Sequence, residues 1–301
     1  MPCLGPRLTV TCLLAVVLSG CQMPGREGAV SRSLATCRHL SQQGVAALER
    51  EQVQQAETLL GKAVAACPID PEARRHYAEA LWRGGARPEA ITQLDEACRL
   101  ASEDATLRVR LAEMHLLVGQ LEPARQSAQQ ALDLNPKLPA AWAIRGRVML
   151  AGGQPQEALA DFHRALGYAP GDRQILLEVA ELYRQLSWPQ RALATLHSLA
   201  DTYSPGEEPQ QVLYLMGLAY TALGRYDDAV ESLAAAAVRG APTPEILSRL
   251  AEAELLAGHP AEAEAAAEHA LVLQPRDPAS LELLDRLRLA RQPQALRPAA
   301  E

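Results

Sequence analysis

Aromatic residues are scarce in this 301-residue chain, where they make up 4% of the sequence and phenylalanine occurs once. A large core built on ring packing is therefore excluded, although 48% of the residues are hydrophobic. Alanine and leucine carry that apolar content, which suits helices packed closely through small side chains. Lysine is confined to Lys62 and Lys137, and the formal charge is −7. Loss of residues 1–20 would remove only Arg7 and make the balance one unit more negative. That sign argues against a nucleic-acid backbone as the main partner. No CxxC, CxxCH, HExxH, GxSxG or Walker-type loop occurs, so no metal, haem, hydrolase or nucleotide site is indicated. The seven histidines are scattered, and His259 and His269 lack the spacing of metal ligands. No cofactor and no enzymatic activity are expected.

Long apolar runs are also missing, apart from Leu8 to Leu18 behind Arg7. Eleven residues are too short to span a bilayer as a helix but suit the core of an export signal. The run ends in Leu18-Ser19-Gly20-Cys21. This resembles the lipobox of bacterial lipoproteins. The resemblance implies a signal peptide over 1–20, cleavage after Gly20, and acyl chains (palmitate among them) on Cys21. Each buried methylene contributes about 0.8 kcal/mol, so two or three chains make a lasting anchor. Gln22, in place of the aspartate linked to inner-membrane retention, points to the outer membrane, facing the periplasm. Residues 21–36 read as the lipidated cysteine and a flexible tether.

Cys37, Cys67 and Cys98 remain. An exported compartment permits disulfides. Cys37 and Cys67 fall at the same end of one expected helical hairpin, so a bridge between them and two free thiols are both open readings. Cys98 falls at a core-facing position.

A period dominates the rest. Alanine recurs at Ala56, Ala90, Ala124, Ala158 and Ala192, 34 residues apart each time, and resumes after a slip of three at Ala229 and Ala263. Self-similarity of that length marks an array of one small unit. With these alanines at position 20 of the frame, the repeats run 37–70, 71–104, 105–138, 139–172, 173–206, 210–243 and 244–277. Position 8 is always Gly or Ala, and position 27 is Ala except for Leu199. Gly85, Gly119, Gly153, Gly224 and Gly258 share position 15, where a helix that has just ended needs positive φ. Pro68, Pro136, Pro170 and Pro275 share position 32 and stop a second helix. The pattern predicts a helix–turn–helix in each repeat. Tyr203-Ser204-Pro205-Gly206 predicts that the fifth repeat's second helix ends early or that this segment loops out, and the insertion Glu207-Glu208-Pro209 follows it, where the stacking angle can change. Residues 278–301 read as a capping helix and a disordered tail.

The fourth repeat, with Trp142, Gly146, Ala158, Phe162, Ala165 and Pro170, resembles the tetratricopeptide repeat (TPR), departing from it at Arg145 and Met149. The resemblance covers 37–277 and implies an all-α fold: a right-handed α-solenoid of seven TPR helix–turn–helix units plus a C-terminal capping helix. It also implies a concave groove lined by the first helix of each repeat, binding a protein or peptide. The groove candidates are Arg75, Glu79, Trp82, Glu113, Arg147, Glu181, Arg184, Tyr214 and Glu252. Chaperone-binding members grip a carboxylate with Asn and Lys, but the single asparagine here, Asn135, is not in the groove. The recurrent glutamates beside Leu, Trp and Tyr suit a basic, partly apolar peptide; the alternative is that they solvate an exposed face and pair with nearby arginines. The expected function is a membrane-anchored scaffold for envelope assembly, pilotin-like or an adaptor for cell-wall enzymes. The competing expectation is an accessory subunit of a polysaccharide synthesis or export system.

Overall fold

The computed structural model describes residues 29–291, all of whose regular elements are helices. The expected signal segment, Cys21, the first half of the expected tether and the tail after Arg291 lie outside the described residues. The helices are α1 (Ala29–Glu49), α2 (Val53–Ala66), α3 (Pro71–Arg83), α4 (Arg87–Leu100), α5 (Ala105–Leu117), α6 (Leu121–Leu134), α7 (Pro139–Ala151) and α8 (Pro155–Tyr168). They continue as α9 (Arg173–Gln185), α10 (Pro189–Ala200), α11 (Gln210–Ala222), α12 (Tyr226–Arg239), α13 (Pro244–Ala257), α14 (Pro260–Leu273) and α15 (Pro278–Arg291). From α2 onward every helix starts at position 1 or position 17 of the 34-residue frame. Two departures stand out. α1 begins at Ala29, so residues 29–36, read from the sequence as tether, are helical. α10 stops at Ala200, as the Tyr203–Gly206 segment predicts.

The helices form two compact units, α1 to α3 ending at Ala86 and α4 to α15 beginning at Arg87. In the first, α2 packs between α1 and α3. In the second, α5 with α6, α7 with α8, α9 with α10, α11 with α12 and α13 with α14 form hairpins, each of which packs on the next. α15 closes this series against α13 and α14. Among the described residues no helix is long and apolar enough to cross a membrane.

Small residues set the spacing within each hairpin. The position-20 alanines are fully or almost fully buried in all seven repeats. In five repeats position 8 compensates for the size of its neighbour at position 24, whereas Ala78 and Ala180 stand opposite the buried Leu94 and Leu196. Gly44 faces Leu60, Gly146 faces Phe162 and Gly217 faces Leu233, and an added Cβ would come within 2.4, 2.9 and 2.4 Å of those side chains. Where position 24 is alanine, as at Ala128 and Ala267, position 8 is alanine too, as Ala112 and Ala251. Where it holds, such volume exchange lets the contact stay filled at interior packing density.

Turns repeat as strictly. All five position-15 glycines have positive φ, between 72° and 90°. In the first and fifth repeats the same turn is made by Glu51 (φ 60°) and Ser187 (φ 59°), so the hairpin imposes a conformation that these side chains disfavour. Position 34 supplies caps. Asp70 accepts from Glu72 N–H, Asp104 from Thr106 and Leu107, and Asp172 from Gln174 and Ile175. Each such cap contributes about 1 kcal/mol. Asp277 does the same for α15, accepting from Ser280 N–H at 2.8 Å and from the Ser248 hydroxyl at 2.7 Å. Burial pushes its carboxyl up, but those hydrogen bonds outweigh burial and hold it below the ordinary carboxylate value.

Candidate functional site

In the second unit the first helices of successive repeats lie side by side: α5 against α7, α9 against α11, α11 against α13, and α13 against α15. The residues they share on one face follow from period and pitch. Side chains at positions 2, 5, 6, 9 and 12 fall on the same side of each helix.

Every position-9 glutamate on this face is ion-paired. Glu113 accepts from Arg110 at 3.0 Å, and Glu252 from Arg249 at 3.0 Å. Glu181 holds both nitrogens of Arg184, at 2.9 and 2.6 Å. That contact lowers the Glu181 pKa and raises that of Arg184. In the first unit, Glu79 accepts from Arg83 at 3.1 Å and Arg75 donates to Glu72 at 2.6 Å. Trp82 is half-buried there. The column of carboxylates is thus neutralised locally, and the charge argument for a basic peptide loses its footing. Exposed pairs of this kind contribute little to stability, about 0–1 kcal/mol. Their effect is to make the face electrically even.

On this face, side chains also meet across repeats. Arg147 on α7 grips Glu178 on α9 at 2.9 and 3.0 Å. Tyr214 on α11 donates to Glu245 on α13 at 2.6 Å. Burial, together with that carboxylate, pushes the Tyr214 phenol up to about 12, so it remains a donor at any ordinary pH. These bonds pin neighbouring repeats at a fixed separation.

Between α9, α11 and α13 a cavity of about 460 Å³ opens. Its floor is Leu218, Ala219 and Ala222, and its rim carries the guanidinium groups of Arg184 and Arg249 with Glu252. A second cavity, of about 320 Å³, brings Glu113 and Arg147 together beside Ala143. The structure therefore gathers Arg184 and Glu252 into one site, and Glu113 and Arg147 into another. Arg75, Glu79 and Trp82 belong to the first unit. Sequence reasoning missed Arg249, Glu245 and Glu178. The first was legible as an i, i+3 partner of Glu252. An apolar floor with a charge-balanced rim can take an apolar side chain and hydrogen-bond the backbone around it. Among the described residues no group of three His, Cys, Asp or Glu side chains is arranged to hold a metal ion.

The tetratricopeptide repeat family model matches residues 41–105, 111–172, 145–207 and 214–280. The chain belongs to the tetratricopeptide repeat family. A TPR array is a protein-interaction scaffold, and this coarse role follows from the family. Tetratricopeptide repeat protein 33 of Xenopus laevis is 32% identical over 106 residues, covering 35% of this chain and 41% of its own. The human protein of that name is 30% identical over 126 residues, covering 42% of this chain and 45% of its own. The chain thus spans less than half the length of these relatives. Among solved structures, YrrB, described as a TPR protein with an unusual peptide-binding site, matches with a TM-score of 0.58 at 19% identity, over 64% of this chain and 97% of its own. Pseudomonas aeruginosa PilF matches with a TM-score of 0.53 at 17% identity, over 85% of this chain and 99% of its own. At these identities the likeness is one of fold.

Proposed function

We propose that this TPR protein is a lipid-anchored scaffold of the bacterial cell envelope that holds a partner's peptide or helix in the groove of its second unit. The cavity between α9, α11 and α13 carries the binding half: it is open, floored by apolar side chains, and rimmed by residues already locked in ion pairs. A partner anchors there through an apolar side chain, with paired Arg and Glu groups around it excluding water from the contact. The motif Leu18-Ser19-Gly20-Cys21 supports the anchoring half.

Ala222 tests the groove, because it is exposed on α11 and lines the cavity. Ala222→Arg fills the site without touching the core. Crosslinking in intact cells followed by mass spectrometry should show partner recovery falling by about tenfold, a loss of about 1.4 kcal/mol, with helicity unchanged. Equal recovery from both proteins would move the binding site elsewhere. Recovery of glycan-export components would favour the accessory-subunit role over an adaptor for assembly. Separately, Cys21→Ser should abolish incorporation of a fatty-acid analogue, and persistent labelling would remove the anchor from the reading.

A further inference from the structure

Cys37 and Cys67 lie 30 positions apart in sequence and meet at one end of the first hairpin. Cys37 is on α1 and fully buried, against Ala63 and Ala73. Cys67 caps the C-terminus of α2, half-buried at the edge of the same cluster. Both are thiols in the structure. The Cys37 thiol has two polar neighbours at this end of the hairpin: the Cys67 side chain, packed against the same cluster, and Asp70 Oδ2, to which it donates at 3.5 Å. Cys98, on α4, is buried in the second unit. A cysteine kept only for packing needs no second sulfur and no carboxylate beside it.

We propose that Cys37 and Cys67 are a site of disulfide formation, closed by exchange with the disulfide of an oxidising thiol–disulfide protein. Exchange begins at the accessible sulfur. The Cys67 thiolate attacks one sulfur of the donor disulfide, forms a mixed disulfide, and releases the donor's other sulfur as a thiolate. The Cys37 sulfur then attacks that of Cys67 while its proton passes to the Asp70 carboxylate. The donor's remaining sulfur leaves as a thiolate. The two cysteines lose two electrons and two protons, and the donor is reduced to a dithiol. Burial, reinforced by Cys67 and Asp70, pushes the Cys37 thiol up to about 12, so Cys37 cannot start the reaction and serves as the resolving thiol. The bridge ties the start of the α1 packing face to the end of α2 and restricts the unfolded chain.

The test uses the reduced full chain and oxidised glutathione as the donor, with non-reducing peptide mapping. The expected product is a Cys37–Cys67 linked peptide in a protein lighter by two hydrogens, melting roughly 5–10 °C higher in its first transition. Cys37→Ser should stall with glutathione held on Cys67, whereas Cys67→Ser should leave Cys37 unmodified. The proposal is overturned if the unmutated chain stalls as a glutathione adduct at Cys67, or if either sulfur links preferentially to Cys98 or to a second chain. The unmutated chain alone decides the matter, whatever the fate of the serine variants. The result is independent of the groove and its partner.

Discussion

Phe162→Ala should lower stability by about 3–5 kcal/mol, among the largest losses available to a single substitution in this chain. Phe162 is the only phenylalanine and heads the fully buried side chains by volume. Its ring fills the space between α7 and α9, against Ala143, Ile175, Val179 and Leu182. Gly146 lies opposite with no side chain, so nothing can swing in to fill the void. Gly146→Ala by itself should also destabilise, although alanine is the better helix former, because its Cβ would sit 2.9 Å from Phe162 Cε1. Combined, the two substitutions recreate the Ala112 and Ala128 pairing of the third repeat, and the double variant should be more stable than Phe162→Ala alone by roughly 1 kcal/mol. Urea unfolding followed by circular dichroism gives the magnitudes. Hydrogen exchange should show the loss concentrated in α7, α8 and α9, since each repeat is stabilised chiefly by its neighbours. A loss below about 1 kcal/mol, or protection lost evenly across α4 to α15, would contradict this account.

The fold was legible because the chain states its pattern seven times. One alanine column placed the frame, and every helix from α2 to α15 starts at one of two positions in it. The first repeat was the exception. No repeat precedes it, so nothing in the period marks where α1 begins, and its extension back to Ala29 had no signal. The groove was legible only in part. Pairs such as Arg110 with Glu113 sit three residues apart on one helix and could be read from spacing. Arg147 with Glu178, and Tyr214 with Glu245, are each 31 residues apart. That interval is one period less one helical step, so a position-9 or position-5 side chain meets the residue three places earlier in the next repeat. The rule needs the stacking of adjacent first helices, which a single repeat's sequence does not contain. Cavities were the least legible, because Leu218, Ala219 and Ala222 become a floor only when α9 and α13 rise on either side.

Asp161→Ala should cost about 3 kcal/mol, for a reason already visible as a break in the repeat pattern. Arg145 stands at position 7, where the family favours leucine, and position 23 of the same repeat holds Asp161. The two meet in a bidentate pair, Nε to Oδ2 and Nη2 to Oδ1, both at 2.7 Å. Their side chains are 17% and 7% exposed, so water can replace little of what a deletion removes. Arg145 also donates to Gln129 at 2.7 Å and lies over the Trp142 ring at 4.7 Å, so it is held in place even without its carboxylate. Deleting Asp161 therefore strands a charge in a site shaped for a neutralised one. The third repeat shows a neutral solution at the same two positions, Leu111 and Ser127, both buried. Arg145→Leu with Asp161→Ser should accordingly return stability to within about 1 kcal/mol of the unmutated chain, because a desolvated ion pair is often no better than well-packed neutral groups. A double-mutant cycle measured by urea unfolding should give a coupling of at least about 2 kcal/mol between the two sites, because Arg145→Leu alone also strands a buried charge. Additive single losses near zero would mean that the pair behaves as a surface ion pair. A double variant as unstable as Asp161→Ala would mean that this repeat cannot accept the packing of the third. The expected recovery follows from the same cause as the glycine exchange at position 8. Within one repeat the inter-helix contact must stay filled, and a different residue pair can fill it provided both members change together.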